Sequence, residues 1–362
     1  MIDKTLFLGT DFVGEAHDFL ATVRKGFWNE DGCFAKEKLI GNAKAFLWPY
    51  GGHAEAIAAQ YETYPDCAHA KALYLETLDG IRPYQVCRDD GYLAYAAANG
   101  GSGDVYYDDN AWLVIIYMNA YKAFGDAKWL DLAERTLHFC YSAWDEKLGG
   151  GLYWQENNKN GKNTCINSPI AKVSAELYKI TKKQEYLDWS KKIYAWTKEN
   201  LMDPEDGLYF DNINLEGRVD KTKFSYNTGC MIGAGAHLYD ITGEESYLND
   251  AKRSAASALN GGFGQVMENG YYRLKGAVPW FNTWLLDGYM ALYPFDSNDD
   301  YIYSFASAAA YALKCKTPSG FIPADWHSEN YPDSDVHILD QSGTARILYD
   351  IGLWAKKYGK EI

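Results

Sequence analysis

Trp129-Leu130-Asp131-Leu132-Ala133 is echoed by Tyr186-Leu187-Asp188-Trp189-Ser190 and again by Tyr247-Leu248-Asn249-Asp250-Ala251. An aromatic, a leucine and an acidic or amide residue recur in the same order, 57 and then 61 positions apart. The flanks repeat as well. Each copy follows a turn, from Tyr121 to Asp126, Tyr178 to Lys183 and Tyr239 to Glu244. Each precedes a glycine–aromatic element: Gly149-Gly150-Gly151-Leu152-Tyr153-Trp154, then Asp206-Gly207-Leu208-Tyr209-Phe210, then Asn269-Gly270-Tyr271-Tyr272. The repeating unit is therefore helix, short turn, helix and long loop. Self-similarity at such a period marks a helical array.

Outward from the repeat, apolar periodicity predicts further helices over 11–29, 53–64, 66–80, 280–294, 299–315 and 340–357. The stretch Trp28 to Pro49 reads as loop. The total is roughly twelve helices, or six hairpins, and the expected fold is an all-α (α/α)6 toroid spanning residues 1–362 as one domain. An open solenoid is the alternative. The aromatic content along both helices of each hairpin favours closure.

In such an array the long loops share one side and feed the helix starts. Those starts carry Asp108-Asp109-Asn110, Asn163 to Asn167, and Tyr226-Asn227. The first follows Gly101-Ser102-Gly103-Asp104-Val105-Tyr106-Tyr107. It opens a helix whose apolar face is Leu113, Ile116, Tyr117, Ala120, Tyr121 and Phe124. Carboxylates at a helix N-terminus are favoured by its free N–H groups and dipole. Asp108 and Asp109 thus have two readings, a cap or a catalytic pair. Asp89-Asp90, before Gly91, reads as a turn, and Asp299-Asp300 reads as capping. Capping explains less well the nearby Trp144, Trp154, Tyr209 and Asp211. His53 and Glu55 lack a metal-like partner at i+4, so His53 is read as a core or cap histidine.

Composition narrows the partners. The chain has 362 residues and a formal net charge of −14, with no lysine or arginine run, which argues against nucleic acid and anionic membrane. No stretch approaches the ~18 apolar residues of a membrane span. Thirty tyrosines and 12 tryptophans suit both a core and a cleft that stacks on sugar faces. Seven cysteines without a CxxC pair indicate neither a disulfide framework nor a zinc site, and no metal or cofactor is expected. The odd cysteine count and a Met1–Leu6 start unlike a leader favour a reducing, cytoplasmic location, with secretion the alternative if a leader has been removed. Oligomeric state leaves no mark in the sequence.

Tyr106-Tyr107-Asp108-Asp109-Asn110-Ala111-Trp112-Leu113, Trp144-Asp145 followed by Gly149-Gly150-Gly151 and Trp154, Asp211-Asn212-Ile213-Asn214, and Tyr226-Asn227 before Gly229 together resemble glycoside hydrolase family 76. The likeness is best over residues 100–260. The resemblance implies an (α/α)6 fold and a retaining α-1,6-mannanase acting on an oligo- or polysaccharide, with Asp108 as nucleophile and Asp109 as general acid/base. It also implies substrate-binding roles for Tyr107, Trp154, Asn163, Asp211, Tyr226 and Asn227. Retention requires carboxylates ~5–5.5 Å apart. Neighbours in a first helical turn diverge by about 100°, which lets their carboxylates splay. The dipole would keep Asp108 ionised, and its charge would raise the pKa of Asp109. Two departures stand out. Thr228 occupies the glutamine position of the usual Tyr-Asn-Gln-Gly, and Thr164-Cys165-Ile166-Asn167 stands where relatives carry Ser-Asn-Glu.

Two other classes compete. A toroid sugar enzyme of the N-acylglucosamine 2-epimerase or unsaturated glucuronyl hydrolase kind is one; the epimerases use paired histidines, and His53, His237, His327 and His337 fall at no matched repeat position. A non-catalytic glycan-binding protein is the other, and an intact carboxylate pair argues against it.

Overall fold

The computed structural model describes residues 2–29, 34–276, 278–328 and 330–362. These form twelve α-helices: α1 (Phe12–Gly26), α2 (Leu47–Thr63), α3 (Ala68–Asp79), α4 (Tyr107–Phe124), α5 (Ala127–Tyr141), α6 (Thr164–Thr181), α7 (Gln184–Leu201), α8 (Ser225–Thr242), α9 (Glu245–Ser257), α10 (Pro279–Asp296), α11 (Asp300–Ala312) and α12 (Ile338–Tyr358). The strands are short. β1 (Gly161–Asn163), β2 (Phe210–Asn214) and β3 (Val219–Lys223) form an antiparallel sheet, and β4 (Gly264–Val266) pairs with β5 (Tyr272–Leu274). The all-α class and the helix number agree with the sequence reading.

From α4 to α9, buried and amphipathic helices alternate. In α4 every residue from Asn110 to Met118 is buried, whereas α5 buries a stripe that includes Trp129, Ala133, Thr136, Leu137 and Cys140. A helix apolar all round is core, and a striped one faces water on its other side.

Contacts divide the chain into two units. One comprises Met1–Pro83, Phe263–Leu286 and Asp299–Ile362. Here α12 packs on α1 and α2. Helix α2 begins at Leu47, inside the stretch read as loop. Pro49 is tolerated in a first turn, where no intrahelical N–H is needed. Gly52 is required there because an added Cβ would lie 2.9 Å from Trp280 and 2.8 Å from Leu339. His53 is the core histidine expected: fully buried, with Nδ1 3.0 Å from Ser342 Oγ. Burial, aided by the Arg24 charge, drives its pKa well below the ordinary value and keeps it neutral. Glu55 Oε2 accepts from Trp280 Nε1 (3.0 Å) and Arg346 Nη1 (2.8 Å). Asp299 does not cap α11 through its side chain, contrary to expectation. Its carboxylate instead takes Lys360 at 2.8 Å and the Tyr303 hydroxyl at 3.2 Å, because an ammonium and a phenol lie within reach.

The other unit comprises Tyr84–Gly262 and Asp287–Asn298 and holds the three clearest repeats. Helices α4, α6 and α8 end in left-handed residues Gly125, Lys182 and Gly243. Each donates its N–H over 2.8 Å to the carbonyl of Tyr121, Tyr178 or Tyr239. That bond stops the helix and reverses the chain, so only two residues separate each pair. Asp131, Asp188 and Asn249 are each the fifth residue of their helix, α5, α7 and α9. The N-caps Tyr106, Asn163 and Phe224 lie the same 57 and 61 positions apart.

Among the described residues no helix is long and apolar enough to cross a membrane. Cys67, Cys87, Cys140 and Cys165 are free thiols, and Cys33 lies outside the described residues.

Candidate active site

The helix starts of this second unit are held by side-chain amides. Asn110, four residues after its N-cap, accepts from the Tyr95 N–H at 2.9 Å. Its Nδ2 donates to the carbonyls of Tyr95 (3.0 Å) and Tyr106 (2.7 Å). Asn167 does the same in α6, accepting from the Leu152 N–H (2.9 Å) and donating to the carbonyls of Leu152 (3.1 Å) and Asn163 (2.8 Å). In α8 the position holds Thr228, which keeps one bond, from the Tyr209 N–H at 3.2 Å. Each clamp supplies partners to buried backbone groups and pins an incoming loop to a helix start. It also fixes register: Asp108, Cys165 and Tyr226 are second helical residues, and Asp109, Ile166 and Asn227 are third.

The loop before β1 brings an aromatic wall to α4. Gly150 and Gly151 adopt φ of +135° and +89°, and a Cβ on either would run into Trp144 or Trp196. The fully buried Lys162 staples this loop, donating to Asp145 Oδ1 (2.7 Å) and to the carbonyls of Asp145 (3.0 Å), Lys147 (2.8 Å) and Gly150. Past the staple, the Trp154 carbonyl accepts the Tyr107 N–H at 2.8 Å, which satisfies one of the free amides of α4. The Trp154 ring, 40% exposed, meets Tyr106 with centroids 4.9 Å apart.

Asp108 and Asp109 lie in the first turn of α4, partly accessible, and the N-cap Tyr106 makes no side-chain cap bond. Their surroundings differ. Asp108 Oδ1 is buried without a hydrogen-bond partner, and burial raises the pKa of the group. The nearby Trp154 indole, Cys165 thiol and backbone N–H groups of Asp109 and Asp108 partly offset that rise. Asp109 has no such donors. Burial first, then the charge of Asp108, pushes its pKa well above the ordinary value. The rise is thus partly offset at one carboxylate, and its neighbour holds its proton more tightly.

The other expected residues divide. Tyr226 feels the charges of Asp108 and Asp211, and its ring lies 6.4 Å from that of Trp112. Asp211, on β2, accepts from Asn212 Nδ2 at 2.8 Å. The fully buried Asn227 stands at the edge of hydrogen-bonding reach of Asp211. Asn163 is the N-cap of α6 and pairs in register with Asn212. Trp154 and Tyr226 therefore lie near Asp108, with Asp211 near Tyr226, Asn227 near Asp211 and Asn163 paired with Asn212 beside Asp211. Tyr107 does not join them. Its ring is 2% exposed and stacks on Phe139 of α5 at 4.8 Å, because one helical step turns it away from the face of Asp108. Trp144 and Tyr209 also go elsewhere, Trp144 against Trp189 (5.7 Å) and Tyr209 into the core at 1% exposure. Cys165 is the site residue that sequence reasoning missed; its spacing from Asp108 by one repeat of 57 positions was the available signal. Among the described residues no group of three or more His, Cys, Asp or Glu side chains is arranged to hold a metal ion.

Residues 15–344 match the family model for glycosyl hydrolase family 76. A mannan endo-1,6-alpha-mannosidase of Candida albicans is 28% identical over 225 residues, covering 56% of this chain and 48% of that protein. The chain thus spans about half the length of this curated relative. A family 76 glycoside hydrolase from a bovine Bacteroides thetaiotaomicron strain superposes with a TM-score of 0.87 at 27% identity, over 96% of this chain and 78% of the other. An α-1,6-mannanase from a Salegentibacter species superposes with a TM-score of 0.80 at 25% identity, over 95% and 99%. The structure of an inactive variant of that mannanase, with two consecutive aspartates replaced by asparagine, is in complex with α-1,6-mannotriose.

Proposed function

Because this chain belongs to glycosyl hydrolase family 76, we propose that it cleaves α-1,6-linked mannose chains by a retaining mechanism, with Asp108 as nucleophile and Asp109 as general acid/base. The observation that carries this reading is the unequal pair: adjacent carboxylates both raised by burial, the rise partly offset by neighbouring groups at Asp108 and increased by the charge of Asp108 at Asp109. The ionised Asp108 attacks the anomeric carbon, and the bond from that carbon to the leaving O6 breaks as Asp109 gives it a proton. Water then attacks the same carbon, Asp109 takes its proton, and the ester to Asp108 opens. Two inversions return the starting anomer. Trp154 supplies an apolar face for a sugar ring, and Asp211, Asn227 and Tyr226 supply hydroxyl partners. The Salegentibacter complex supports the choice of an α-1,6-mannooligosaccharide substrate.

The test is a product profile on α-1,6-mannotetraose with the anomer followed by NMR. The α-anomer is expected to form first. First release of the β-anomer would remove the retaining assignment, and isomerisation without reducing-end release would place the chain among the epimerase-like toroids. Asp109→Ala should lose most turnover on mannooligosaccharides and less on aryl mannosides with a good leaving group, with partial rescue by azide.

A further inference from the structure

Asp340 holds in α12 the position that Asp109 holds in α4. Each is the third helical residue, and each is followed by an amide that clamps an incoming loop, Asn110 in α4 and Gln341 in α12. The start of α12 is pinned from several segments. The Ile338 N–H donates to the Glu37 carbonyl at 3.2 Å. The Thr344 hydroxyl donates to the Asp340 carbonyl (2.9 Å) and accepts from the Trp326 indole (3.0 Å). Gly343 lets the helix close on the first turn of α10, since an added Cβ would lie 2.6 Å from the Trp280 nitrogen.

Within this rigid frame the Asp340 side chain is the exception. It is 9% exposed, and among the described residues no hydrogen bond or ion pair reaches its carboxylate. Other carboxylates of the same stretch are satisfied internally. Asp325 accepts from the N–H groups of His327 (3.0 Å) and Ser328 (2.9 Å) and from the Ser328 hydroxyl (2.7 Å). Asp335 accepts from the Ser334 hydroxyl (3.1 Å), and Asp350 pairs with Arg346 (3.4 Å). Tyr331 is close enough to feel the Asp340 charge, but its hydroxyl donates to the Asp335 carbonyl at 2.5 Å. A sheltered carboxylate without partners costs stability, and a ligand that brings donors offsets that cost. Resting on the α-1,6-mannan reading, we propose that Asp340 is a further substrate-binding residue, whose two carboxylate oxygens accept from a vicinal pair of hydroxyls on an α-1,6-linked mannose unit.

The chemistry of the ligand fits the group. Linkage through C1 and O6 leaves O2, O3 and O4 of each internal unit free, so neighbouring hydroxyls offer two donors side by side. An ionised carboxylate is an acceptor with two oxygens and can take both. Burial raises the Asp340 carboxyl to about 7. Hydroxyl donors favour its charged form and draw it back down when the sugar is bound.

The experiment measures binding of α-1,6-mannotetraose by calorimetry in the Asp108→Asn background, which prevents turnover, with and without Asp340→Ala or Asp340→Asn. Loss of hydrogen bonding to a charged group predicts about a tenfold rise in Kd for Asp340→Ala. Asp340→Asn keeps the shape and one acceptor oxygen and should lose less. With Asp108 intact, KM of Asp340→Ala should rise by a similar factor while kcat changes little, the mark of lost uniform binding. Thermal melts of the same variants should show no loss of melting temperature, which separates a ligand contact from a structural one. Kd and KM equal to those of the parent in both variants would overturn the proposal. Failure of the parent itself to bind mannotetraose would instead remove the mannan reading, and this proposal with it.

Discussion

Helices α4, α6 and α8 carry buried charge at two levels, and the two levels are built oppositely. Toward their C-terminal halves, Glu176 accepts from Lys172 (2.6 Å), Lys122 (2.9 Å) and His237 (3.3 Å), and Lys172 also pairs with Asp287 (3.0 Å). Burial alone would raise Glu176, yet the surrounding cations overcome it and hold the carboxyl well below its ordinary value. At the N-terminal end, Asp108 and Asp109 have no ion pair among the described residues, and both are raised. The lower cluster spends its charges on each other. The upper pair leaves its charge and its proton free for a substrate. Uncompensated carboxylates that persist at the end of a rigid helix are the mark of chemistry rather than of stability.

The sharpest break of this contrast is Asp108→Asn. Turnover should fall by orders of magnitude while the melting temperature stays level or rises, since a costly buried charge is removed. Steady-state rates and a thermal melt check both halves; a large loss of melting temperature with near-normal turnover would return Asp108 to a capping role. Lys172→Met attacks the lower level. It leaves Glu176 and Asp287 without their shared cation and should cost about 3–5 kcal/mol of stability, read by urea unfolding, with kcat of the folded fraction unchanged.

The amide clamps sharpen the comparison. Asn110→Leu and Asn167→Leu each strand a buried backbone N–H and carbonyl, at about 1–3 kcal/mol per group left unsatisfied. Their losses of stability should match. Only Asn110→Leu should also lower kcat severely, because Asn110 directly follows the carboxylate pair; equal kcat losses would reduce the clamp to a folding device.

A pH-dependent effect is expected at Asp340, a buried carboxylate at the start of α12 that burial raises from 3.8 to about 7. Between those values the folded state binds more protons than the unfolded one. Stability from this group is therefore greatest at low pH, falls as pH rises toward 7, and stays reduced above it. Asp340→Asn escapes that fall, so its melting temperature should match wild type near pH 4 and exceed it by a few degrees at pH 8. A gap that does not widen with pH would contradict the burial account.

The clamps also explain a departure from the family pattern. Gln341 in α12 holds Ile322 by both its N–H (3.1 Å) and its carbonyl (2.9 Å), four residues after its N-cap and 19 after its partner. Thr228 has the same place in α8 and the same offset from Tyr209, but reaches only the N–H. A glutamine there would supply a two-bond clamp like that of Gln341. Threonine keeps the half that satisfies the donor.

What the sequence determined by itself is everything carried by local, repeating chemistry. The 57- and 61-residue period, the reversals at Gly125, Lys182 and Gly243, and the aspartate pair in a first helical turn depend on a few neighbouring residues. What only the tertiary structure decided is which side of each element a residue serves. Tyr107 and Asp108 are adjacent in sequence, yet one packs on Phe139 and the other faces the site. Trp144 and Tyr209 look like cleft aromatics and are core, while Cys165 looks like filler and lies close enough to Asp108 to feel its charge. A helix turns about 100° per residue, so one position changes the facing environment completely. That environment is supplied by chain segments far away in sequence, and it exists only once they have packed.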